Sequence, residues 1–483
     1  MLSATSVAAS GPLERIQSQE EDARVIHLLN RAAFGPTPAL IEEVHRVGRN
    51  AWVAEQIVPE QISDPEIVER LALYPALSMN SAELVTNYPQ QSNNGDIVGI
   101  GRPQRIPVEV GAANLTRAVH GRAQLREVLT DFWFNHFNVT TQNNPTRYSI
   151  VAYLRDAIRP NALGRFEDIL RASATSPAMM YYLDNYLSSR PGSPGRYSGI
   201  NENYARELLE LHTLGVDGGY TQEDIVEVAR AFTGWAFTPL RSGAVEFVFV
   251  PSRHDPGDKV VLGQRIPSGG QQEGFDILEL LAKHPSTARF ISYKLIERFV
   301  TETPPADFVD RVAEVFLATD GHIGWTVASI LLSEDFYDPA YRGNKAKSPY
   351  ELVASALRAT EADVTQGVEA VRLVGRLGQP LLRAPAPTGW PETGVDILSP
   401  GGMVGRFELG YFAVTDGIRG AEVLRELWAP ILELWGPAGL AQYLLGRPPG
   451  ETTLQALEGA ATSGASPDLL AAIVLASPEF QLQ

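Results

Sequence analysis

The segment from Asn201 to Gly215 constrains the fold more than any other stretch of this 483-residue chain. At 100° per residue, its polar side chains fall on one narrow stripe of a helix and its apolar side chains cover the rest. The stripe comprises Asn203, Arg206, Glu207 and Glu210. A helix that is apolar around most of its circumference needs protein on nearly every side, so this pattern predicts a large helical core. Because buried charge is costly unless it is paired or used, the stripe is also the first candidate for a site.

Apolar residues at helical spacing recur along most of the chain, whereas strand patterns are rare. They predict a mainly α fold, with a large bundle-like core of many helices. One small β-hairpin is expected at 244–263, where two short strands flank the turn Arg253-His-Asp-Pro-Gly257. The predicted organisation is a flexible leader at 1–20, a helical core at 21–360 that carries the candidate site, and a C-terminal helical subdomain at 361–483 packed on that core. Within the core, 73–112 is rich in Asn, Gln, Gly and Pro, which predicts a long loop or insertion.

Composition excludes several classes of function. A net charge of −17 and a pI near 5.0 argue against nucleic-acid binding, which needs clustered Lys and Arg. The absence of cysteine excludes disulfides, thiolate metal sites and a cysteine nucleophile. No apolar run approaches the ~20 residues that span a bilayer. The first 20 residues have neither the charged region nor the apolar stretch of a signal peptide, which by itself favours the cytoplasm.

Several motifs resemble the signature of the bacterial DUF1800 family, in order and over nearly the whole chain from about residue 22. They include Leu29-Asn-Arg-Ala-Ala-Phe-Gly35, Phe132-Trp-Phe-Asn-His136, Tyr182-Leu-Asp-Asn185, the segment 201–215, Ala231-Phe-Thr-Gly-Trp235 and Pro387-Thr-Gly-Trp390. The family takes its name from having no known function. The resemblance implies export to the periplasm or cell exterior. It also implies a functional partner of the sulfatase-like DUF1501 kind, and hence polymer or polysaccharide breakdown, by association alone.

Carboxylate acid/base chemistry is the reaction that these residues favour. Glu207 and Glu210 are three residues apart on one helix, and two acids that lie close together raise the pKa of one of them, as a general acid requires. Asp184, joined to the stripe by one loop, is a third acid that we expect to face Glu207. His136 stands inside an aromatic run and is the histidine with the best claim to a catalytic role, although a buried histidine can equally be a structural one. We therefore expect a hydrolase that acts on a carbohydrate polymer or oligosaccharide in a central acidic cleft.

Other polar and aromatic residues are candidates for binding the substrate. Trp235 and Trp390 could stack on sugar rings, Trp390 from a Pro-rich loop at the rim of the cleft. The remaining candidates are polar, namely Asn203, Arg206, Asn135, Asn185, His254, Asp255 and Arg31. For three of them a structural role is the alternative to substrate binding. Arg31 can cap a helix, Asp255 precedes a Pro-Gly turn, and Asn185 can cap the turn that follows it.

Two other functions stay open at this stage. Glu207, Glu210, His136 and His254 are suitable donors for a divalent metal, so a metal-dependent hydrolase or oxidase is possible, although no Glu-x-x-His or His-Glu-x-x-His motif occurs. We expect no resident cofactor. The polar stripe can also be an internal network in a non-catalytic binding or assembly protein.

Overall fold

The structure is a computed structural model that describes residues 12–90, 101–193, 199–240, 243–398, 400–415 and 417–483, with residues 12–18, 400 and 401 described as backbone only. Within these ranges the chain is mainly helical, as predicted. The helices are α1 Pro12–Ala32, α2 Pro38–Val47, α3 Arg49–Gln56, α4 Pro65–Leu71, α5 Ser81–Asn87, α6 Arg105–His120, α7 Gln124–His136, α8 Asn144–Ala152, α9 Phe166–Ala174, α10 Pro177–Tyr182, α11 Glu202–Glu207, α12 Gln222–Ala231, α13 Gln271–Ala282, α14 Pro285–Phe299, α15 Ala306–Ala318, α16 Ile323–Leu331, α17 Pro349–Ala359, α18 Val368–Arg376, α19 Gly394–Ile397, α20 Pro400–Val414, α21 Trp428–Leu445, α22 Glu451–Thr462, α23 Pro467–Ala476 and α24 Pro478–Gln481.

Helix α17 lies at the centre of the molecule. All eleven of its residues are buried, and it packs against α6, α18, α20 and α21. A capping box begins it: Ser348 Oγ accepts from the backbone N–H of Glu351, and the carboxylate of Glu351 accepts from the N–H of Ser348 at 2.7 Å. The buried apolar side chains form one continuous core from Val25 to Phe480, so the helices beyond residue 361 share their core with the rest of the chain.

The strands form three small antiparallel sheets, and this corrects the predicted hairpin. The strands are β1 Trp235–Phe237, β2 Phe247–Phe249, β3 Lys259–Val261, β4 Gln264–Ile266, β5 Asp363–Val364 and β6 Ala421–Glu422. We expected β2 to pair with β3, but β2 pairs with β1 and β3 pairs with β4. The reason is local, because the tight turn at Leu262-Gly263, where both residues have positive φ, closes β3 onto β4.

Within the described residues, parts of both segments that we predicted to be irregular are helical. Residues 12–20 of the expected leader belong to α1, while residues 1–11 lie outside the described residues. The expected loop at 73–112 contains α5 and the first half of α6, and residues 91–100 lie outside the described residues. Helix α5 begins with a capping box in which Asn80 and Glu83 bond each other's backbone N–H groups, at 3.0 and 2.8 Å. The Asn and Pro residues that suggested a loop therefore include helix-start signals.

Candidate active site

The predicted central helix is short and changes its winding in the middle of the polar stripe. Helix α11 ends at Glu207, and the chain continues as a π-helical turn, Leu208–Thr213. The burial pattern agrees with the prediction, because Tyr204 is buried whereas Asn203 is exposed. Arg206 binds Glu202 at 3.3 Å and Gln222 at 3.1 Å rather than the acids of the stripe. Arg206 thus serves a surface network between α11 and α12.

Glu207 and Glu210 are both half-buried next to this turn. Burial raises the pKa of Glu207, and the charge of Glu210 raises it further, while Arg206 opposes both. Glu210 accepts a hydrogen bond from the hydroxyl of Tyr220 at 3.4 Å. The two acids therefore influence each other as the sequence predicts.

Asp184 and Asn185 lie at the turn before this helix. Asp184 is exposed in a left-handed backbone conformation with φ of 57°, and its carbonyl accepts from the Asn201 amide at 2.9 Å. Asn185 is 1% exposed, and neither atom of its side-chain amide has a partner among the described residues. Asn185 faces the protein interior between α10 and β1, which does not fit the predicted contact with a substrate.

Trp235 and His254 are structural rather than substrate-binding, and Asp255 takes the turn role that was its alternative, since it accepts from the N–H of Gly257 at 3.0 Å. Trp235 is fully buried and packs on Gly274, where any side chain would collide with the indole ring. His254 is 5% exposed and lies 3.1 Å from Glu273, which also pairs with Lys259. The side chains of His254, Glu273 and Lys259 pair with one another inside the protein, so His254 is not available to a substrate.

Asp255 belongs to the same network. Its carboxylate forms two hydrogen bonds with Arg230, at 2.9 and 3.1 Å. Burial disfavours the charged carboxylate of Asp255, but the bonds from Arg230 outweigh this and lower its pKa.

Arg31 is buried in the core, 3% exposed. Its guanidinium donates to the carbonyl of Tyr341 at 3.0 Å and to the side chain of Asn344 at 2.8 Å. Burial lowers its pKa to about 9, although Glu351 opposes this shift. Arg31 therefore joins α1 to the segment before α17, which is neither of the two roles predicted for it.

His136 and Asn135, at the end of α7, do border a cleft. The Nε2 atom of His136 lies 3.1 Å from the carbonyl of His212 in the π-helical turn, so Nε2 carries the proton and Nδ1 is left as an acceptor. Burial lowers the pKa of His136 to about 4, so the ring is neutral at pH 7. A neutral imidazole with this pKa can accept a hydrogen bond from a ligand but is a weak general base.

Asn135 holds the Pro-rich loop at the cleft. Its side-chain amide donates to the carbonyl of Trp390 at 2.8 Å and accepts from the N–H of Trp390 at 2.6 Å. Gly389 has a φ of +74°, and a Cβ there would collide with the Asn135 side chain. Lys345 secures the other end of the loop by donating to the carbonyl of Glu392 at 2.8 Å. The loop is thus fixed by hydrogen bonds, and Trp390 stands at a cleft that Glu207 and Glu210 do not line.

This Trp390 cleft has a volume of about 470 Å³ and lies between the loop, α7, α14 and the π-helical turn. Four aromatic side chains line it together with polar ones. The lining comprises Phe132, Asn135, His136, Leu211, Phe290, Tyr293, Lys294, Glu297, Thr388, Gly389, Trp390, Pro391, Glu392 and Thr393. Glu207 and Glu210 are not among these residues, so the acids predicted to be catalytic stand outside the cleft.

A cluster of ionised side chains that the sequence reading missed lies beside the cleft. Arg298, 3% exposed, binds Glu351 at 3.0 Å, Glu392 at 3.3 Å and Asp131 at 3.4 Å. Lys345 lies 3.6 Å from the same oxygen of Glu392. We call these five residues the Arg298 cluster. The cluster thus contains three carboxylates and two cations, so the negative charge of one carboxylate is only weakly compensated.

The environment separates the pKa values of two of these acids. Burial raises the pKa of Asp131 to about 7, because Arg298 compensates its charge only in part and Glu351 and Glu392 repel it. Burial also disfavours ionised Glu392, but Arg298 and Lys345 outweigh this effect and lower its pKa to about 2. At neutral pH Asp131 is therefore about half protonated, whereas Glu392 is fully ionised. A difference of this kind lets one carboxyl group of an active site donate a proton while the other acts in its charged form.

A narrow cavity of about 40 Å³ lies beside the cluster and next to the cleft. Asp131, Arg298 and Glu392 are among its lining residues, and it shares Asn135, Trp390, Pro391 and Glu392 with the Trp390 cleft. The volume suffices for water, which needs roughly 10–15 Å³ on this measure. Asp131 is thus separated from the cleft only by residues that line both cavities.

One signal in the sequence points to the cluster. Glu351 interrupts an apolar run, Tyr350-Glu-Leu-Val-Ala-Ser-Ala-Leu357, where a helix buried all round would otherwise carry no charge. Asp131 and Arg298 stand in helices of mixed composition, α7 and α14, where a charged residue is not by itself a signal. A charged residue inside an apolar helix needs a partner, but its identity depends on which helices pack together.

The predicted metal donors do not form a metal site. Within the ranges that the structure describes, no group of three or more His, Asp and Glu side chains is arranged so that it could hold a metal ion. Both ring nitrogens of His254 already have partners, since Nδ1 contacts the carbonyl of Thr233 and Nε2 contacts the carboxylate of Glu273.

Fold and site together define a large, mainly α-helical protein with an aromatic cleft beside a buried ionic cluster. The chain belongs to the DUF1800 family, described as a protein of unknown function, which matches residues 27–482. Neither the curated proteins nor the solved structures contain a significant match. No helix in the described part of the chain is long and apolar enough to cross a bilayer.

Proposed function

We propose that the protein hydrolyses a carbohydrate polymer or oligosaccharide in the Trp390 cleft, with Asp131 as general acid and Glu392 as its ionised partner. The observation that carries this proposal is that both carboxylates bind one guanidinium, that of Arg298, behind an aromatic-lined cleft. In this proposal the reacting acids are not Glu207 and Glu210 but Glu392, which lines the cleft, and Asp131, which lines the narrow cavity beside it.

Each part of the cleft has a place in this reaction. Aromatic rings such as Trp390 and Phe290 offer flat apolar faces to sugar rings, while the Nδ1 acceptor of His136 can bind a hydroxyl. Asp131 in its protonated form would donate to the glycosidic oxygen as the bond to the anomeric carbon breaks. Ionised Glu392 would attack that carbon or take a proton from the attacking water. Arg298 holds both acids in position.

A second candidate is a carbohydrate-binding protein without turnover. The observation that favours it is the extensive pairing inside the Arg298 cluster. Glu351 also accepts from the side chain of Gln483 at 3.2 Å, and its other oxygen caps α17. Buried acids that are so fully bonded can be purely structural.

The release of reducing ends from a panel of polysaccharides tests the first candidate. We expect Asp131→Asn to lower kcat by about 10²-fold or more, the usual contribution of a general acid. Glu207→Gln, which removes an acid outside the cleft, should leave kcat unchanged. The kcat/KM of the wild type should fall above about pH 7, because Asp131 must carry its proton.

The same panel separates the alternatives. If Glu207→Gln abolishes hydrolysis and Asp131→Asn does not, the reaction belongs to the acids of α11 and the π-helical turn. If the wild type hydrolyses no glycan, but binds one and loses this affinity on Trp390→Ala, the protein is a binding protein.

A further inference from the structure

A second cavity, separate from the Trp390 cleft, is lined by four arginines. It has a volume of about 550 Å³ and lies between α6, α18 and the segment that leads into the Pro-rich loop. We call it the arginine pocket, after Arg147, Arg372, Arg376 and Arg383. The full lining is Gln104, Pro107, Val108, Thr141, Arg147, Val371, Arg372, Gly375, Arg376, Pro380, Leu381 and Arg383.

The floor of the pocket is apolar and closely packed. Helices α6 and α18 approach each other at Gly111, where a Cβ would lie 3.3 Å from Val371 and 3.5 Å from Leu381. Pro107, Val108 and Pro380 extend this floor. Leu381 also lines the narrow cavity beside the Arg298 cluster, so the two cavities lie on opposite sides of one side chain. An apolar floor below charged walls suits a ligand that has an apolar part and a charged group.

Positive charge in the pocket is not balanced by acids of the lining. Among the described residues that line it there is no Asp or Glu, although the whole chain has 57 acidic and 40 basic residues. Arg372 pairs with Glu369, outside the lining. Arg147 donates to neutral oxygens, those of the Asn144 side chain at 2.7 Å and the Gln142 carbonyl at 2.6 Å.

The other two arginines are free to meet a ligand. Arg376 and Arg383 are both exposed, and neither has a carboxylate partner among the described residues. Arg376 lies over the ring of Phe412, 5.8 Å from its centre. Burial lowers the pKa of Arg147, and the charge of Arg383 lowers it further, so these guanidinium groups repel each other. An anion placed between them would relieve that repulsion, and guanidinium groups bind carboxylate, sulfate and phosphate through paired hydrogen bonds.

We propose that the arginine pocket binds a small organic anion, whose carboxylate, sulfate or phosphate group meets Arg376 and Arg383 and whose apolar part rests on Val371, Leu381 and the prolines. The volume falls within the range of ~300–1,000 Å³ typical of small-molecule sites. This site is independent of the chemistry proposed for the Trp390 cleft.

Fluorescence titration with 1-anilinonaphthalene-8-sulfonate, an apolar ring system that carries one sulfonate, tests the assignment. We expect the Kd to rise at least about tenfold in the double variant Arg376→Gln/Arg383→Gln, since each bond to a charged group contributes about 1.5–3 kcal/mol. The matched control is Arg46→Gln/Arg265→Gln, which removes the same charge from two exposed arginines outside the pocket and should leave the Kd unchanged. Circular dichroism checks that both variants are folded.

Two comparison probes complete the experiment. N-phenyl-1-naphthylamine, which has the same rings without the sulfonate, should bind the wild type much more weakly and should not respond to the arginine substitutions. Co-sedimentation with phosphatidylglycerol vesicles identifies the source of the anion: sedimentation that depends on Arg376 and Arg383 indicates a lipid headgroup, and its absence indicates a soluble anion. The proposal is overturned if the double variant binds the sulfonate as tightly as the wild type, or if the uncharged probe binds equally well.

Discussion

Two buried ionic groups of this protein use similar side chains with different results. The Glu273 network joins Glu273 to His254 and Lys259 and, through Lys259, to Asp255 and Arg230. The carboxylate of Glu273 also accepts from the backbone N–H groups of Gly269 and Gly270, at 2.7 and 2.9 Å. The Arg298 cluster instead has more carboxylates than cations and borders a cavity.

The difference shows when a buried charge is structural and when it is available for chemistry. Around Glu273, burial opposes the charge but the bonds from Lys259, Gly269 and His254 outweigh it and lower the pKa. Around Arg298, burial raises the pKa of Asp131, and a guanidinium that three acids share offsets this only in part. An acid that retains its proton at neutral pH beside a cavity can transfer it, whereas a saturated carboxylate cannot.

The largest effect is expected for Glu273→Gln. The substitution leaves the ammonium group of Lys259 buried without its counter-charge, so the free energy of unfolding should fall by about 3–5 kcal/mol. Urea denaturation measures it. Glu279→Gln on the same helix is the control, because Glu279 is exposed and its pair with Lys283 should be worth no more than ~1 kcal/mol. Equal losses in the two variants would contradict the structural role of the Glu273 network.

The next largest effects are expected for Glu392 and Asp131, two of the acids bound to Arg298. We expect the substitution of one to lower the free energy of unfolding and the substitution of the other to raise it. Glu392 has a depressed pKa, so it stabilises the fold above about pH 4.5 and this stability is lost as the pH falls toward 2. Glu392→Gln should therefore lower the free energy of unfolding at pH 7 by about 3 kcal/mol.

Asp131 has a raised pKa, so the folded state holds its proton more tightly than the unfolded chain, and ionisation destabilises the fold as the pH rises from about 4 to about 7. Asp131→Asn should remove this loss and gain stability relative to the wild type over that range. Urea unfolding at several pH values between 4 and 8 measures both variants. Parallel profiles for the two would mean that the acids are not separated in pKa.

A smaller loss is expected for Asn135→Ala, which tests how the cleft is held. The variant loses two hydrogen bonds to the backbone of Trp390, each worth about 1 kcal/mol, so the free energy of unfolding should fall by roughly 2 kcal/mol. Asn87→Ala removes a half-buried asparagine side chain of α5 that donates one hydrogen bond within its own helix, to the carbonyl of Glu83, and should change the value by less than about 1 kcal/mol. If Asn135→Ala behaves like this control, the loop is held by other contacts.

The smallest effect is expected for Arg206→Gln, in the stripe that the sequence marked as a site. Its side chain is 42% exposed, and its pair with Glu202 is a surface ion pair. Thermal unfolding should show a loss below about 1 kcal/mol. A loss of more than about 2 kcal/mol would instead place the stripe with the structural networks.

Several local features were predictable because they depend on neighbours in the sequence. Thr221-Gln-Glu-Asp224 has the residue types of a capping box and forms one at the start of α12, and Thr37 and Pro38, an N-cap followed by a first-turn proline, begin α2. The Pro-rich loop places Trp390 at a cleft together with Asn135 and His136. Pairings over longer distances were not predictable: β2 joins β1 instead of β3, and Trp235 lies in the core rather than at a sugar site.

The sequence by itself determined the helical class, the family and several helix starts, because apolar periodicity and capping act within a few turns of chain. Only the tertiary structure decided which charges meet. Asp131, Arg298, Glu351 and Glu392 come from α7, α14, α17 and the Pro-rich loop, which are far apart in the sequence. The pKa of a carboxyl depends on burial and on charges a few ångströms away, and packing alone sets both.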